Sequence, residues 1–411
     1  METGTLGIAA NNFYFYQNKK VIPSFLKKPI IAGCFLLSFL YSPAQMPDSI
    51  PVCSLQVSLL TCTPGDELYS SFGHSAIRVR DQTEESDVIF NYGTFDFYDP
   101  AFYQKFIRGK LLYFVSIQTY DEFMYEYEYF KRGVTEQVIR MDCREKNALI
   151  SALYENAKEE NKYYRYDFNY DNCTTRLYEM LKKYSTEPFR TKNILPYEGV
   201  TFRNLIHEYL DRGGQHWSKF GIDILLGAPL DKEVTNEESM FLPDYLLAGL
   251  DSTTVAGEPL VTGKNELLPF TGRRESKPWL TPLVVFSLLG ILVIAMSFIR
   301  TKSMKRAGRV FDVLFFTLLG LMGAWLLFMW FGTDHAMCKN NYNLLWAVPA
   351  HLFFAFLIPR NKPFVKKYFR VMMWWTILLL LAWFFLPQQL NPALLPLVII
   401  SGVRSYFISK P

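Results

Sequence analysis

Hydrophobic and polar positions mix in short runs over the first two thirds of the chain, then give way to long apolar blocks. QVSLLTC, SAIRVRD, DVIFNYGTF, LLYFVSIQTY and KRGVTEQVIRM combine β-branched and aromatic residues between turn signals, the pattern of strands. From about Arg144 to Lys158 the period changes, placing Leu149, Ala152, Leu153 and Ala157 on one helical face. YYRYDF reads as a further strand. Leu177, Met180, Leu181 and Tyr184 then recur at helical spacing behind Asp171-Asn172. Either of those two is a good N-cap, so Cys173 falls in the first helical turn. After Pro188 the pattern is helical but irregular, and ESMFLPDYLLAGL is expected to pack on the domain or on a membrane surface. Val255 to Lys277 reads as a polar linker containing Gly and Pro.

Five apolar blocks follow Pro278: Trp279–Ile299, Val310–Phe331, Leu344–Leu357, Val371–Leu386 and Ala393–Phe407. The first is about 31 Å long as a helix, which matches a bilayer core. Pro349 and Pro396 interrupt the third and fifth. RTKSMKRAGR and RNKPFVKKYFR carry five basic residues each, whereas GTDHAMCKNNYN and PQQLNP carry one between them. Basic loops stay in the cytoplasm, so the first helix enters from outside and the preceding domain is exported. An independent signal agrees. Lys27-Lys28, the apolar run PIIAGCFLLSFLY and the small residues Ser42-Pro43-Ala44 form a signal-peptide pattern with cleavage before Gln45. The first 26 residues read as an upstream extension, and Cys34 as part of the discarded segment. The expected location is the bacterial inner (cytoplasmic) membrane, with the exported domain periplasmic.

Charge sharpens this division. The formal net charge is +4, yet 13 Lys/Arg against 2 Asp/Glu follow Trp279, and residues 45–278 carry a net −10. An acidic exported part argues against a nucleic-acid partner, which needs a basic patch. Five cysteines remain after residue 44, an odd number, which leaves at least one free thiol. Cys53, Cys62 and Cys143 are candidates for one disulfide, with the pairing open.

Cys173 has the strongest chemical context, because a thiol at a helix N-terminus feels the positive end of the dipole and is biased toward thiolate, the nucleophile. Its bland alternative is a small core residue or a disulfide partner. Of the five histidines, His207 and His216 read as ordinary surface or core residues. His351, inside the third apolar block, is either functional or a neutral histidine bonded within the bundle. His74 follows Gly73 at the start of a strand. Asp334 and His335 lie at the outer membrane face. CxxC pairs, HExxH and Gly-rich phosphate loops do not occur, so neither metal nor other cofactor is expected.

LLTCTPGDELYSSFGHSAIRVRD, FNYGTFDF and YRYDFNYDNCTTRL resemble the exported domain of the Lnb-type lipoprotein N-acyltransferases. FGTDHAMCKNNYNLLW and the multi-span C-terminal half resemble that family too. The resemblance implies an α+β fold, a circularly permuted papain-like exported domain related in layout to lecithin retinol acyltransferase, followed by an all-α five-helix transmembrane domain. It implies Cys173 as nucleophile, His74 as general base and a third, orienting group on the next strand, with Asn91 the choice and Asp96 the runner-up.

The expected organisation is an N-terminal extension and signal peptide over 1–44, a catalytic domain over 45–262, a linker over 263–278 and five spans over 279–411. The expected reaction moves an acyl chain from phospholipid, through a Cys173 thioester, to the α-amino group of a diacylated lipoprotein, with Asp334 and His335 as substrate-binding residues or merely a solvated loop. Two other readings compete: a papain-like cell-wall peptidase or amidase, which would use the same Cys173 and His74, and a membrane scaffold or sensor without catalysis, which the intact pair argues against.

Overall fold

The computed structural model describes residues 53–271, 278–299 and 301–410, which belong to one compact unit. The signal peptide, its cleavage site and Cys34 lie outside the described residues, as do the central linker residues 272–277.

The exported part is built on an antiparallel seven-stranded sheet. Its strands are β1 (Leu55–Cys62), β2 (His74–Asp81), β3 (Ser86–Thr94), β4 (Leu112–Thr119), β5 (Val134–Ile139), β6 (Tyr163–Arg165) and β10 (Val261–Leu268), in the spatial order β10-β5-β1-β2-β3-β4-β6. A three-stranded sheet comprises β7 (Arg190–Thr191), β8 (Thr253–Val255) and β9 (Glu258–Pro259). Helices α1 (Phe102–Ile107), α2 (Tyr120–Tyr129), α3 (Cys143–Asn156) and α4 (Cys173–Tyr184) are interleaved with the strands. They are followed by α5 (Phe202–Arg212), α6 (His216–Leu225), α7 (Asn236–Ser239) and α8 (Pro243–Asp251).

Alternation in the strands supplies both faces of the sheet. Ile77 and Val79 of β2 join Leu149, Leu153, Leu177 and Leu181 of α3 and α4 in the main core. Ala76 faces the other way, against Leu60, Phe123 and Tyr127 under α2. β1 is an interior strand buried on both sides, so that Ser58 and Thr61 are covered along with Val57, Leu59, Leu60 and Cys62. Cys53 and Cys143 form the disulfide, tying the start of β1 to the start of α3, and Cys62, Cys173 and Cys338 are free and buried.

The linker expected from residue 263 is corrected: Val261–Leu268 is an edge strand paired with β5. It reads as a linker because an edge carries polar residues. Lys264 pairs with Asp251 at 2.6 Å, and the Asn265 amide donates to Glu136 at 3.0 Å. ESMFLPDYLLAGL packs on the domain, with Leu246 and Leu250 of α8 in the main core.

The C-terminal part contains α9 (Pro282–Phe298), α10 (Lys302–Phe331), α11 (His351–Ala355), α12 (Pro363–Ala382) and α13 (Leu394–Ser409). Among the described residues, α10 and the segment Pro363–Phe385 are long and apolar enough to cross a bilayer, and α9 and α13 are shorter apolar helices. The third of the five expected spans is not one continuous helix. Leu344–Leu357 contains a five-residue helix flanked by 3-10 turns. Pro349 cannot donate to a helical ladder. The segment instead lies along α10 where Gly320 and Gly323 carry no side chain. A Cβ on Gly320 would sit 2.2 Å from the Leu352 nitrogen, and one on Gly323 2.0 Å from the Ala347 oxygen. Non-helical backbone at membrane depth survives when protein covers it in this way. His351 is buried there, its Nδ1 2.8 Å from the Tyr368 hydroxyl.

The two acidic residues of the C-terminal part are both paired. Arg404 of α13 donates to both carboxylate oxygens of Asp312 in α10, at 2.6 and 2.8 Å, and to Ser297 of α9 at 2.7 Å. Asp334 pairs with Arg165 of the exported part at 3.3 Å.

The two halves interlock around residues 223–228. Asn343 donates to the Asp223 and Ile224 carbonyls, Asn341 to those of Ile224 and Leu225, and Gln388 to that of Leu226, all at 2.8–3.1 Å. The Asp223 carboxylate accepts from Asn391 at 2.8 Å, from His207 at 2.7 Å and from the fully buried Arg203 at 2.7 Å. Arg203 also bonds Asp231 at 2.8 Å. His207 is thus part of this junction.

Candidate active site

Helix α4 begins where Asn172 makes it begin. The Asn172 side-chain oxygen accepts from the backbone N–H groups of Thr174 and Thr175, at 2.8 and 2.9 Å, and the Thr175 hydroxyl accepts from the Asn172 N–H at 2.9 Å. Its amide nitrogen donates to the Phe168 and Phe241 carbonyls at 2.7 and 2.9 Å. Asn172 therefore satisfies two orphan donors of the helix and fixes the direction of the chain on either side. Cys173 follows as the first helical residue and is buried, 8% exposed.

His74 is placed by the turn before β2. Gly73 has φ +80°, a conformation few side chains tolerate, and a Cβ there would lie 2.7 Å from the Cys62 carbonyl oxygen. Ahead of it, Phe72 packs on Phe168 with ring centroids 4.8 Å apart, and the Ser71 hydroxyl donates to Gln215 at 2.9 Å. The same Phe168 is held through its carbonyl by Asn172, so the histidine turn and the cysteine helix share an anchor.

The imidazole Nε2 donates to the Asn91 side-chain oxygen at 2.5 Å, and the Asn91 amide nitrogen donates onward to Gln118 at 3.1 Å. Gln118 thereby selects the amide orientation that turns the Asn91 oxygen toward the ring. With Nε2 engaged, Nδ1 is the nitrogen left for the Cys173 thiol, its second hydrogen-bond partner. The backbone N–H of Ser75 also donates to the sulfur, and the Thr174 hydroxyl lies 3.6 Å from it.

Burial by itself raises the Cys173 pKa, but the charge of His74, its hydrogen bond and the Ser75 N–H outweigh this and bring the thiol down from 9.0 to about 7. Burial likewise opposes protonation of His74, yet the Cys173 charge and the bonds to Cys173 and Asn91 raise its pKa above the ordinary 6.5. Each group favours the charged form of the other, the condition for a thiolate–imidazolium pair near neutral pH.

The structure thus brings His74, Asn91 and Cys173 together from β2, β3 and α4. Asp96, the runner-up for the third position, is exposed in the turn after β3, where its carboxylate accepts from the Tyr98 N–H at 2.8 Å. Asp334 and His335 lie elsewhere, against the turn between α1 and β4. The Asp334 N–H donates to the Arg108 carbonyl at 2.9 Å, and the His335 Nε2 donates to the Phe106 carbonyl at 3.0 Å. Two contributors carried no sequence signal. Gln118 reaches Asn91 diagonally across β3 and β4, where Asn91 lies opposite Ser116 and Ile89 opposite Gln118, a register the sequence does not specify, and Ser75 acts through its backbone.

Two family models match the chain, one described as the Lnb N-terminal periplasmic domain over residues 42–208 and one as the Lnb transmembrane domain over residues 274–410. No curated protein and no solved structure matches it.

Proposed function

The chain belongs to the Lnb family, as a membrane protein with a periplasmic domain, and from that premise we propose that it is a thiol-dependent lipoprotein N-acyltransferase of the bacterial inner membrane. The observation that carries this reading is the Cys173–His74–Asn91 arrangement at the head of α4 in a domain fastened to a membrane bundle. The chain order, strand histidine first and helix cysteine last, supports a circularly permuted papain-like layout.

The Cys173 thiolate attacks the ester carbonyl of a phospholipid acyl chain. Asn172 occupies the N–H groups of Thr174 and Thr175, so the Cys173 N–H is the helix donor available to the developing oxyanion. As the C–O bond breaks, the His74 imidazolium gives its proton to the departing lysophospholipid oxygen, and a thioester remains. The α-amino group of a diacylated lipoprotein then attacks the thioester carbonyl. His74 accepts a proton from the amine, the C–S bond breaks and the amide leaves a regenerated thiolate. Asn91 holds the ring throughout, and no cofactor enters either half.

The test is to incubate the purified full-length protein with phospholipid and a diacylated lipopeptide and to weigh the peptide. The expected product is a triacylated peptide, absent with Cys173→Ala and with His74→Ala. Release of free fatty acid with the peptide unchanged would place the protein among hydrolases instead, and turnover by Cys173→Ala would remove the thiol from the chemistry.

A further inference from the structure

Between β3 and β4 the exported part carries a run of exposed apolar side chains. Helix α1 buries Phe102 but presents Tyr103 (77% exposed), Phe106 (50%) and Ile107 (38%) on one side, at the i, i+3, i+4 spacing of a single stripe. Phe97 and Tyr98, 60% and 75% exposed, immediately precede it. A soluble surface rarely gathers so many aromatic rings without a partner.

What covers them is indicated by where the segment is fastened. The Arg108 and Phe106 carbonyls accept from the Asp334 N–H and the His335 ring, and those residues follow directly on Phe331, the outer end of the α10 span. The stripe is therefore held at the level where a spanning helix leaves the bilayer. Aromatic residues concentrate at that level, and the exposed Arg108 and Lys110 suit lipid phosphates, while Lys105 is paired with Asp99 at 2.6 Å. From the stripe, ring contacts continue inward. Phe102 stacks on Phe95 at 5.9 Å, Phe95 packs on Tyr113 at 5.2 Å, and Tyr113 stacks on Tyr166 at 4.3 Å. Tyr166 flanks Gly93 together with the catalytic sulfur's own side chain: a Cβ on Gly93 would lie 3.7 Å from the Tyr166 ring and 3.6 Å from the Cys173 Cβ.

We propose that the α1 segment docks into the outer-leaflet interface, and that the Phe102–Phe95–Tyr113–Tyr166 series is the wall along which a phospholipid acyl chain reaches Cys173. The docking rests on the membrane topology alone, and the chain path rests on the acyl-transfer reading. Asp334 and His335 then serve the site by holding the dock in place, as positioning residues.

Two measurements on the full-length protein in phosphatidylcholine–phosphatidylglycerol vesicles separate these parts. A bimane probe on Tyr103→Cys, corrected for the unsubstituted protein, is expected to be quenched by lipids brominated in their acyl chains and shielded from aqueous iodide. Full quenching by iodide with none by brominated chains would overturn the docking. In the double variant Tyr103→Ser, Phe106→Ser, acylation of Cys173 by vesicle phospholipid is expected to fall about tenfold or more, while acylation by water-soluble p-nitrophenyl acetate stays unchanged. Equal rates with phospholipid in variant and parent would overturn the chain path. A parent acylated by neither donor would overturn the acyl-transfer reading and the path with it, leaving the probe to decide the docking.

Discussion

At the residue scale the account turns on how three side chains charge one another. Because Cys173 is brought down to about 7 and His74 is raised, the ion pair exists above the thiol's pKa and below the imidazole's. Alkylation of Cys173 by iodoacetamide should therefore rise with pH through an inflection near 7. In His74→Ala the main lowering influence is gone while burial remains, so the inflection should move above 9, and activity should fall by about 10²–10⁴-fold. Asn91→Ala removes one bond to a charged ring, worth about 1.5–3 kcal/mol, or roughly ten- to hundred-fold in kcat. Gln118→Ala should show a weaker form of the same defect, because it acts through the Asn91 amide. Cys173 stood out in the sequence through its place behind an N-capping residue, whereas His74 was singled out only by the family resemblance, since a glycine-led strand histidine is by itself an ordinary structural residue. That they meet was not legible from local pattern, because the turn 71–73 and the Phe168 carbonyl that join them are long-range contacts. The Ser75 N–H leaves no trace in residue identity.

At the element scale, Asn172 decides where α4 starts and hence where the sulfur points. Asn172→Ala loses four side-chain hydrogen bonds, two of them to the helix. It should lower stability by about 1–2 kcal/mol through the lost cap, and lower the thiol's reactivity by more than the unfolding accounts for. The measurement is thermal unfolding in detergent beside the alkylation rate. A reactivity loss that merely tracks unfolding would mean that the cap has no part in aiming Cys173. Strands β1 to β5 were readable because alternation and β-branched residues dominate them. Helices α1 and α2 were not, since their aromatic-rich sequences hide helical periodicity, and β10 was hidden by the polarity of an edge. The third membrane segment was apolar enough to look helical, but Pro349 and the paired glycines of α10 give it another shape.

At the scale of the whole molecule, the exported domain is locked to the bundle by Arg203, Asp223, Asp231 and the asparagines of the membrane-face loops. Arg203→Met would leave two carboxylates facing each other without their shared cation, and should destabilise the protein by about 3–5 kcal/mol, read as early unfolding of the exported half. The division into exported and membrane halves was evident from charge and hydropathy, because the bilayer imposes both. The junction was not, because it is made of asparagine amides on backbone carbonyls. Topology is checked by an impermeant maleimide, which should label Lys192→Cys in intact spheroplasts and Lys362→Cys only after permeabilisation.

The thioester is the most direct test of the whole account. After brief incubation of the full-length protein with phospholipid alone, mass spectrometry of the Cys173 peptide should show one fatty-acyl addition, released by neutral hydroxylamine and absent from His74→Ala. An unmodified Cys173 in protein that still acylates a lipopeptide, or acyl mass on Cys62 or Cys338 instead, would contradict it.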